Sequence, residues 1–416
     1  MSSVDVVDVV IFGGGVAGLW LLNRLRNSGI DAILLEANAL GTGQTIASQG
    51  MVHGGIKYAL GGALTGASES IAAMPAHWRS CLRGEGDVDL RGASILSEAF
   101  YMWSPGGIGS RVTSFLASKV TRGRVDNLTR NEYPAPFNHP TFRGKVYRLV
   151  DMVLDVPSLL STLCTNHRSH VFKIDAEDIG WHSEDGELKR INIRHAGSNI
   201  VIEPRHVVLA AGEGNEALMK AMRISTPAMQ RRPLQQVIVK HNYPFPLYAH
   251  CIGTNASPRL TISSHPCKDG RWVWYLGGDL ATDGTNDTPQ VLIEKAKKEL
   301  HELFGWLDFS SAQWRTIKLD RAEPLHKQLL KPDNAFAETS RNLRNVIVAW
   351  PTKLTLAPDM ANRVMKLLPA LSPTPRTHEA LSVLPKPAVA TAPWETLFAQ
   401  DTATVTEKTF PGKERR

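Results

Sequence analysis

Apolar residues fill positions 6–12, VVDVVIF, almost without a break, and β-branched side chains dominate the run. Such a run reads as a buried strand. The period then lengthens. Leu19, Leu22 and Leu25 recur at helical spacing and Gly29 closes the helix, after which AILLE predicts a second strand ending at Glu36. A further helical stretch is expected near 67–82, whereas residues 83–145 are irregular and rich in Pro, Gly and Arg. MVLDVPSLLSTL predicts a strand and then a helix, with Asp155 or Ser158 as its cap and Pro157 near the first turn. HVFKID, ELKRINIRH and NIVIEPRHVVL continue as strands, the last running into a small-residue turn at Ala211–Gly212. Strands are also expected at 233–240, 246–252, 259–264 and 271–278, and an amphipathic helix over 294–304. WRTIKLDRAEP and NVIVAW read as strands, PTKLTLAP as a turn and DMANRVMKLLPAL as a helix.

This order is that of an α/β protein. It predicts a discontinuous Rossmann-like domain built from residues 1–80, 146–230 and 335–370. A β-rich domain for a substrate, 81–145 and 231–334, is inserted into it. Residues 371–416, rich in Pro, Thr and Ala and without periodicity, read as a loosely packed tail.

Composition narrows the function. A chain of 416 residues has room for two domains. No run of 18 apolar residues occurs, so no spanning helix is expected, and the early first strand leaves no room for a signal peptide. Cys81, Cys164, Cys251 and Cys267 are scattered without a CxxC pair. Their spacing suggests neither a zinc site nor a redox dithiol, and free thiols point to the cytoplasm. His265 and Cys267 are too isolated to argue for a metal. The net charge of +7 is dispersed, which argues against nucleic acid. An anionic substrate, peripheral contact with an anionic membrane surface, or plain solubility fits it better.

The first chemistry lies between the first two strands. Gly13, Gly15 and Gly18 match G-x-G-x-x-G, in GGGVAG. Gly13 makes the turn, Gly15 admits a pyrophosphate to the backbone, and Gly18 lets helix and strand pack closely. The helix N-terminus offers N–H groups to phosphate. Glu36, at the end of the second strand, stands where a ribose hydroxyl would be bound. The whole strand–turn–helix–strand–acid unit is far more specific than the glycines alone. It is followed by GTGQTIASQGMVHGGIKY, in which His53 waits among tight-turn residues.

The layout resembles the FAD-dependent oxidoreductases of the D-amino-acid oxidase superfamily. Within it, GTGQTIASQGMVHGGIKYAL and PTKLTLAPDMAN are most similar to motifs of the FAD-dependent glycerol-3-phosphate dehydrogenases and oxidases, and DRAEP is a looser counterpart of a third. Lys57 stands where that family has arginine, Pro351–Thr352 where it has a glycine pair, and Asn362 where it has an acid. The resemblance implies non-covalently bound FAD. Its cradle would comprise Gly13, Gly14, Gly15, Val16, Ala17 and Gly18, with Glu36, Ala37, Ala211 and Gly212. It also assigns Ile174 to the adenine.

The residues present suit a flavin. Thr42, Thr45, Ser48 and Gln49 offer hydrogen bonds to ribityl and phosphate groups. Thr352, Lys353, Leu354 and Thr355 precede a helix starting near Pro358, so positive charge and a helix N-terminus meet where a reduced ring is anionic. His53 is the candidate base for a substrate hydroxyl or amine, and Lys57, Tyr58 and Arg321 are candidates to hold an anionic group. Arg259 and Tyr275 are lesser candidates on the inserted strands. The expected activity is hydride transfer from a small anionic hydroxy compound to flavin. Amine or amino-acid oxidation and flavin binding without turnover are the alternatives. Oxygen, a quinone and a carrier protein all remain open as electron acceptor.

Overall fold

A computed structural model of the chain describes residues 4–56, 71–105, 125–253, 257–325, 334–371 and 376–403. Its first sheet is centred on β1 (Val4–Phe12), parallel to Ser198–Leu209 on one side and to β2 (Ala32–Glu36) on the other. Val10 lies opposite Val207 and Ile33, and Phe12 opposite Leu209 and Leu35. Val171–Lys173 extends the sheet beyond β2, and Val346–Trp350 pairs parallel to Ser198–Leu209. A strand flanked on both edges and covered on both faces has no solvent side, so Val7–Phe12 is buried throughout and apolar but for Asp8, which lies beside Arg205 and Arg376. Leu19, Leu22 and Leu25 of α1 (Val16–Asn27) are buried on one face with Leu159, Leu163, Met360 and Val364. The Val156–Asn166 helix is capped by Asp155, whose Oδ2 accepts the Ser158 N–H at 2.9 Å.

The second sheet runs, in spatial order, through Gln313–Pro324, Met229–His241, Trp272–Gly277, Leu260–Pro266, Ala249–Cys251, Phe100–Ser104, Lys145–Leu149 and Val125–Asn127. The Pro289–Phe304 helix covers one face, packing Leu292, Leu300 and Phe304 against Val237, Val239 and Trp274. The opposite face carries Ser263, His265 and Tyr275, all fully or almost fully buried.

Two boundaries differ from those read from the sequence. Lys145–Leu149 pairs with Phe100–Ser104 and so belongs to the second sheet. Conversely, Cys81, Val88 and Leu90 are buried in the same core as α1, so this part of the irregular region packs on the first domain.

Over its described residues, 376–403, the C-terminal segment is not a loose tail. Arg376 donates to the Val6 carbonyl at 3.1 Å, and His378 Nε2 lies 2.9 Å from the buried Asp31 carboxylate. Lys173 N–H donates to Pro385 at 2.8 Å, and Leu40 exchanges backbone bonds of 2.8 and 3.0 Å with Ala388 and Ala390. Lys386 Nζ sits 3.6 Å from the centre of the Phe172 ring. The Pro393–Ala403 helix then reaches the second sheet. There Trp394 stacks on His265 at 4.7 Å and meets Tyr275 edge-on at 5.6 Å, and Phe398 is buried in the same cluster. Sequence periodicity misses this strap because an extended chain with isolated anchors has no repeating face. Trp394→Ala is expected to lower stability by roughly 3–5 kcal/mol, read as a fall in the denaturant midpoint; an unchanged midpoint would mean the helix contributes no packing.

Candidate active site

The glycine turn leaves no room for side chains. A Cβ at Gly13, where φ is +110°, would stand 2.5 Å from Ala211 Cα, and one at Gly18 would stand 1.9 Å from the Gly13 oxygen. At Gly14 it would meet Leu40 Cδ2 at 2.5 Å, and at Gly15 the Thr45 hydroxyl at 3.0 Å. Val16 and Ala17 begin α1, and the Val16 N–H donates to Thr45 Oγ1 at 3.3 Å. Glu36 is half-buried and accepts the Gly14 N–H at 2.5 Å and the Asn38 N–H at 2.7 Å. A carboxylate has about four acceptor positions, so it retains capacity for a ribose hydroxyl. Ile174 donates its N–H to the Glu36 carbonyl at 3.0 Å, which sets it beside Glu36 and Ala37. The Ala211–Gly212 turn is shaped by Asn215, whose Oδ1 accepts the Ala211 N–H at 2.8 Å, and by Trp350, whose Nε1 donates to Gly212 at 3.0 Å. The sequence reading missed both, although Asn215 follows directly on AAGEG.

Residues 41–54 run from this cradle along the domain interface. Gln44 Oε1 accepts the Ala322 N–H at 3.0 Å, next to Arg321, which is half-buried on the Gln313–Pro324 strand opposite Arg232. Gln49 Nε2 donates weakly to the Tyr275 carbonyl at 3.4 Å. Tyr275 is fully buried, and its hydroxyl has no hydrogen-bond partner among the described residues. Burial pushes that phenol well above its ordinary pKa. A cavity of about 410 Å³ opens beside Gly43, Gln44 and Ala47, with Leu319, Asp320 and Pro393 opposite.

His53 is buried at 5% exposure. Its N–H donates to Thr355 Oγ1 at 3.2 Å, and that hydroxyl donates to Met51 O at 3.2 Å. The Trp78 indole N–H reaches the Thr355 carbonyl at 3.0 Å, and Asp151 accepts the Gly54 N–H at 2.8 Å. Thr355 thus ties His53 to the turn that carries Lys353 and Leu354. That turn is tight. Lys353 N–H donates to Pro351 O at 2.7 Å across Thr352, whose φ is +60°. This is a γ-turn of the rare left-handed kind, occupied by a β-branched residue where glycine would be unstrained. A single 3-10 turn, Leu354–Leu356, leads from it into the Ala357–Leu367 helix.

Several residues singled out in the sequence have partners within the protein. Thr352 Oγ1 donates to Asn334 O at 3.1 Å, and Thr355 Oγ1 to Met51 O at 3.2 Å. Thr42 is exposed and its hydroxyl donates to Ala39 O at 2.8 Å, while Ser48 Oγ accepts the Gly50 N–H at 3.4 Å. Arg259 holds Glu299 and Glu302 of the Pro289–Phe304 helix at 2.5 and 2.9 Å, a structural clamp. His265 is enclosed completely and pushed down to about 3, so it stays neutral against Trp394. Lys57 and Tyr58 lie outside the described residues.

The family model for FAD dependent oxidoreductases (DAO) matches residues 8–336. The chain belongs to the DAO family of FAD-dependent oxidoreductases. It is 48% identical over 394 residues to Probable FAD-dependent oxidoreductase PA4991 of Pseudomonas aeruginosa, covering 94% of this chain and 98% of the relative. The crystal structure of PA4991 superimposes with a TM-score of 0.82 at 42% identity, over 96% of this oxidoreductase and all of that chain. Glycine oxidase from Geobacillus kaustophilus, at TM-score 0.63 and 16% identity, spans 87% of this chain and 94% of its own. L-α-glycerophosphate oxidase from Mycoplasma pneumoniae, solved with FAD bound, gives 0.60 and 14% over 87% of this chain and 94% of its own. These last two share the fold.

FAD is the cofactor of this oxidoreductase, and the side-chain-free path over Gly13–Gly15, with Glu36 at its end, fits its pyrophosphate and ribose. Among the described residues no helix is long and apolar enough to cross a membrane. Gly15→Leu is expected to yield a folded, colourless protein, because the side chain would fill the phosphate path. Heat-denatured wild type should release all its yellow colour; colour retained on the precipitated chain would show a covalent link.

Proposed function

We propose that the oxidoreductase oxidises a small anionic hydroxy compound, of the glycerol-3-phosphate or 2-hydroxy-acid class. The observation that carries this is the Thr355 bridge. It places a buried histidine, His53, on the same hydrogen-bonded unit as the lysine-bearing turn that opens the Ala357–Leu367 helix. When bound, FAD supplies the acceptor for hydride leaving the substrate carbon. His53 takes the hydroxyl proton, a task suited to an imidazole whose ordinary pKa lies near neutrality. Arg321, beside the Gln44–Ala322 bond that joins cradle to second sheet, holds the anionic group, with Lys57 and Tyr58 following His53 in sequence. Lys353 and the helix N-terminus stabilise negative charge at the cofactor.

Anaerobic bleaching by a panel of 2-hydroxy acids, polyol phosphates and amino acids tests the substrate class. Reduction by amino acids alone would overturn the hydroxy reading. With the true substrate, His53→Gln is expected to slow flavin reduction by roughly a hundredfold or more while FAD stays bound. The acidic limb of the pH profile should vanish with it. A variant that reduces normally but loses FAD would make His53 a cofactor clamp. Lys353→Met is expected to lower the flavin potential by about 30 mV, equivalent to about 1.4 kcal/mol for two electrons. An unchanged potential with normal FAD affinity would remove Lys353 from the site.

A further inference from the structure

Outside the cofactor cradle, three donor atoms of different chemistry converge. His77 and Cys81 stand four residues apart on the Met74–Leu82 helix and so share a face. Asp87 joins them from the loop that follows. That loop folds onto the helix because residue 86 is glycine: a Cβ there would stand 2.4 Å from Cys81 Sγ. The Leu90 N–H, donating to the Cys81 carbonyl at 3.0 Å, fixes the return. His77 Nε2, Cys81 Sγ and one oxygen of Asp87 all lie within 4.8 Å of one another.

The separations fit a metal polyhedron. Zinc bound at its usual N, O and S distances holds tetrahedral donors roughly 3.3–3.6 Å apart. Here Nε2 to Oδ1 is 3.0 Å, Sγ to Oδ1 is 3.3 Å and Sγ to Nε2 is 3.9 Å. Cys81 is completely buried, whereas the His77 and Asp87 side chains are 31% and 20% exposed, so the open side of the trio faces solvent. The second carboxylate oxygen of Asp87 is held by the Arg24 guanidinium, which also donates to Asn362 Oδ1 at 2.8 Å. An oriented carboxylate with its outer oxygen occupied is the support that metal-ligating acids carry. At position 362 the related motif has an acid; asparagine there leaves Arg24 its charge for Asp87.

We propose that His77 Nε2, Cys81 Sγ and Asp87 Oδ1 bind one divalent transition ion, zinc by the class of the donors, with water in the fourth position. Without the ion, His77 Nε2 and Cys81 Sγ both face Asp87 Oδ1, so binding breaks the Nε2–H and the S–H bonds; both protons leave to solvent, and nitrogen–metal and sulfur–metal bonds form without change of oxidation state. Thiolate and carboxylate cancel the two charges of the ion, so Arg24 gains no net positive neighbour. The bound ion fastens the 83–90 loop to the Met74–Leu82 helix and, through Arg24 and Asn362, to α1 and the Ala357–Leu367 helix. The sequence carries only the His77–Cys81 half of this signal; Asp87 is supplied by the fold.

Cobalt(II) titration of the chelator-treated, untagged holoenzyme tests the assignment. Expected is one equivalent bound, with thiolate–cobalt absorption at wavelengths beyond those of the flavin, bleached by zinc. Cys81→Ser should abolish the absorption with FAD content and circular dichroism unchanged. Arg24→Gln should weaken binding by roughly 10–100-fold. Should Cys81→Ser fail to fold, His77→Asn, at the exposed side, serves instead: zinc should raise the melting temperature of wild type and leave this variant unmoved. No binding by folded wild type, cobalt bound without thiolate bands, or equal affinity in a folded Cys81→Ser or His77→Asn variant would reduce the trio to a hydrogen-bonded cluster.

Discussion

A side chain at Gly18 would stand 1.9 Å from the carbonyl oxygen of Gly13, and one at Gly13 would stand 2.5 Å from Ala211 Cα. That steric limit governs the first domain. It sets how closely α1 approaches β1, and how closely the turn after β1 approaches the turn after Ser198–Leu209. The two turns form one rim, and the cofactor cradle is that rim. Trp350 and Asn215 hold it from below by hydrogen bonds to Gly212, Ala211, Leu209 and Ala349. The chemistry is therefore placed by backbone packing, with side chains as supports.

The second sheet is brought to that rim by one stretch of chain. Between Gly41 and Gly54 the chain contacts Ala322 and Tyr275 through the Gln44 and Gln49 side chains, and Thr355 and Asp151 through the His53 and Gly54 backbone N–H groups. These partners come from both domains. The strained turn at Thr352 belongs to the same junction. A β-branched residue at φ +60° costs on the order of 1–3 kcal/mol. The surrounding contacts hold it there, one short turn ahead of the Ala357–Leu367 helix.

Periodicity made much of this legible. β1, α1 and β2 alternate from strand to helix to strand with abrupt changes of period, and Asp155–Pro157 announces its helix by a cap. The strands of the inserted sheet were visible as short runs without helical period, and Leu260–His265 and Val273–Gly277 are buried at every position because both faces of the sheet are covered. The sequence was silent where function rests on pairing over long distances. Whether Lys145–Leu149 joins one sheet or the other depends on its neighbour Phe100–Ser104, which no local pattern reveals. The hydroxyls of Thr352 and Thr355 had the right chemistry for a cofactor, but their bonds to the carbonyls of Asn334 and Met51 come from distant parts of the chain. Arg259 could be read as a ligand only until Glu299 and Glu302 were folded against it.

The strap changes the order in which the molecule can be completed. His378 contacts an aspartate 347 residues earlier in the chain, and Arg376 helps neutralise Asp8, which is fully buried. Domains usually fold as they leave the ribosome, N-terminal part first. Here β1 precedes its partners by long stretches of chain: Arg205 and Arg376 both flank Asp8, and Trp394 seals the inserted sheet. Translation must pass Arg376 before β1 has both arginines beside Asp8, and Trp394 before the inserted sheet is covered at His265 and Tyr275.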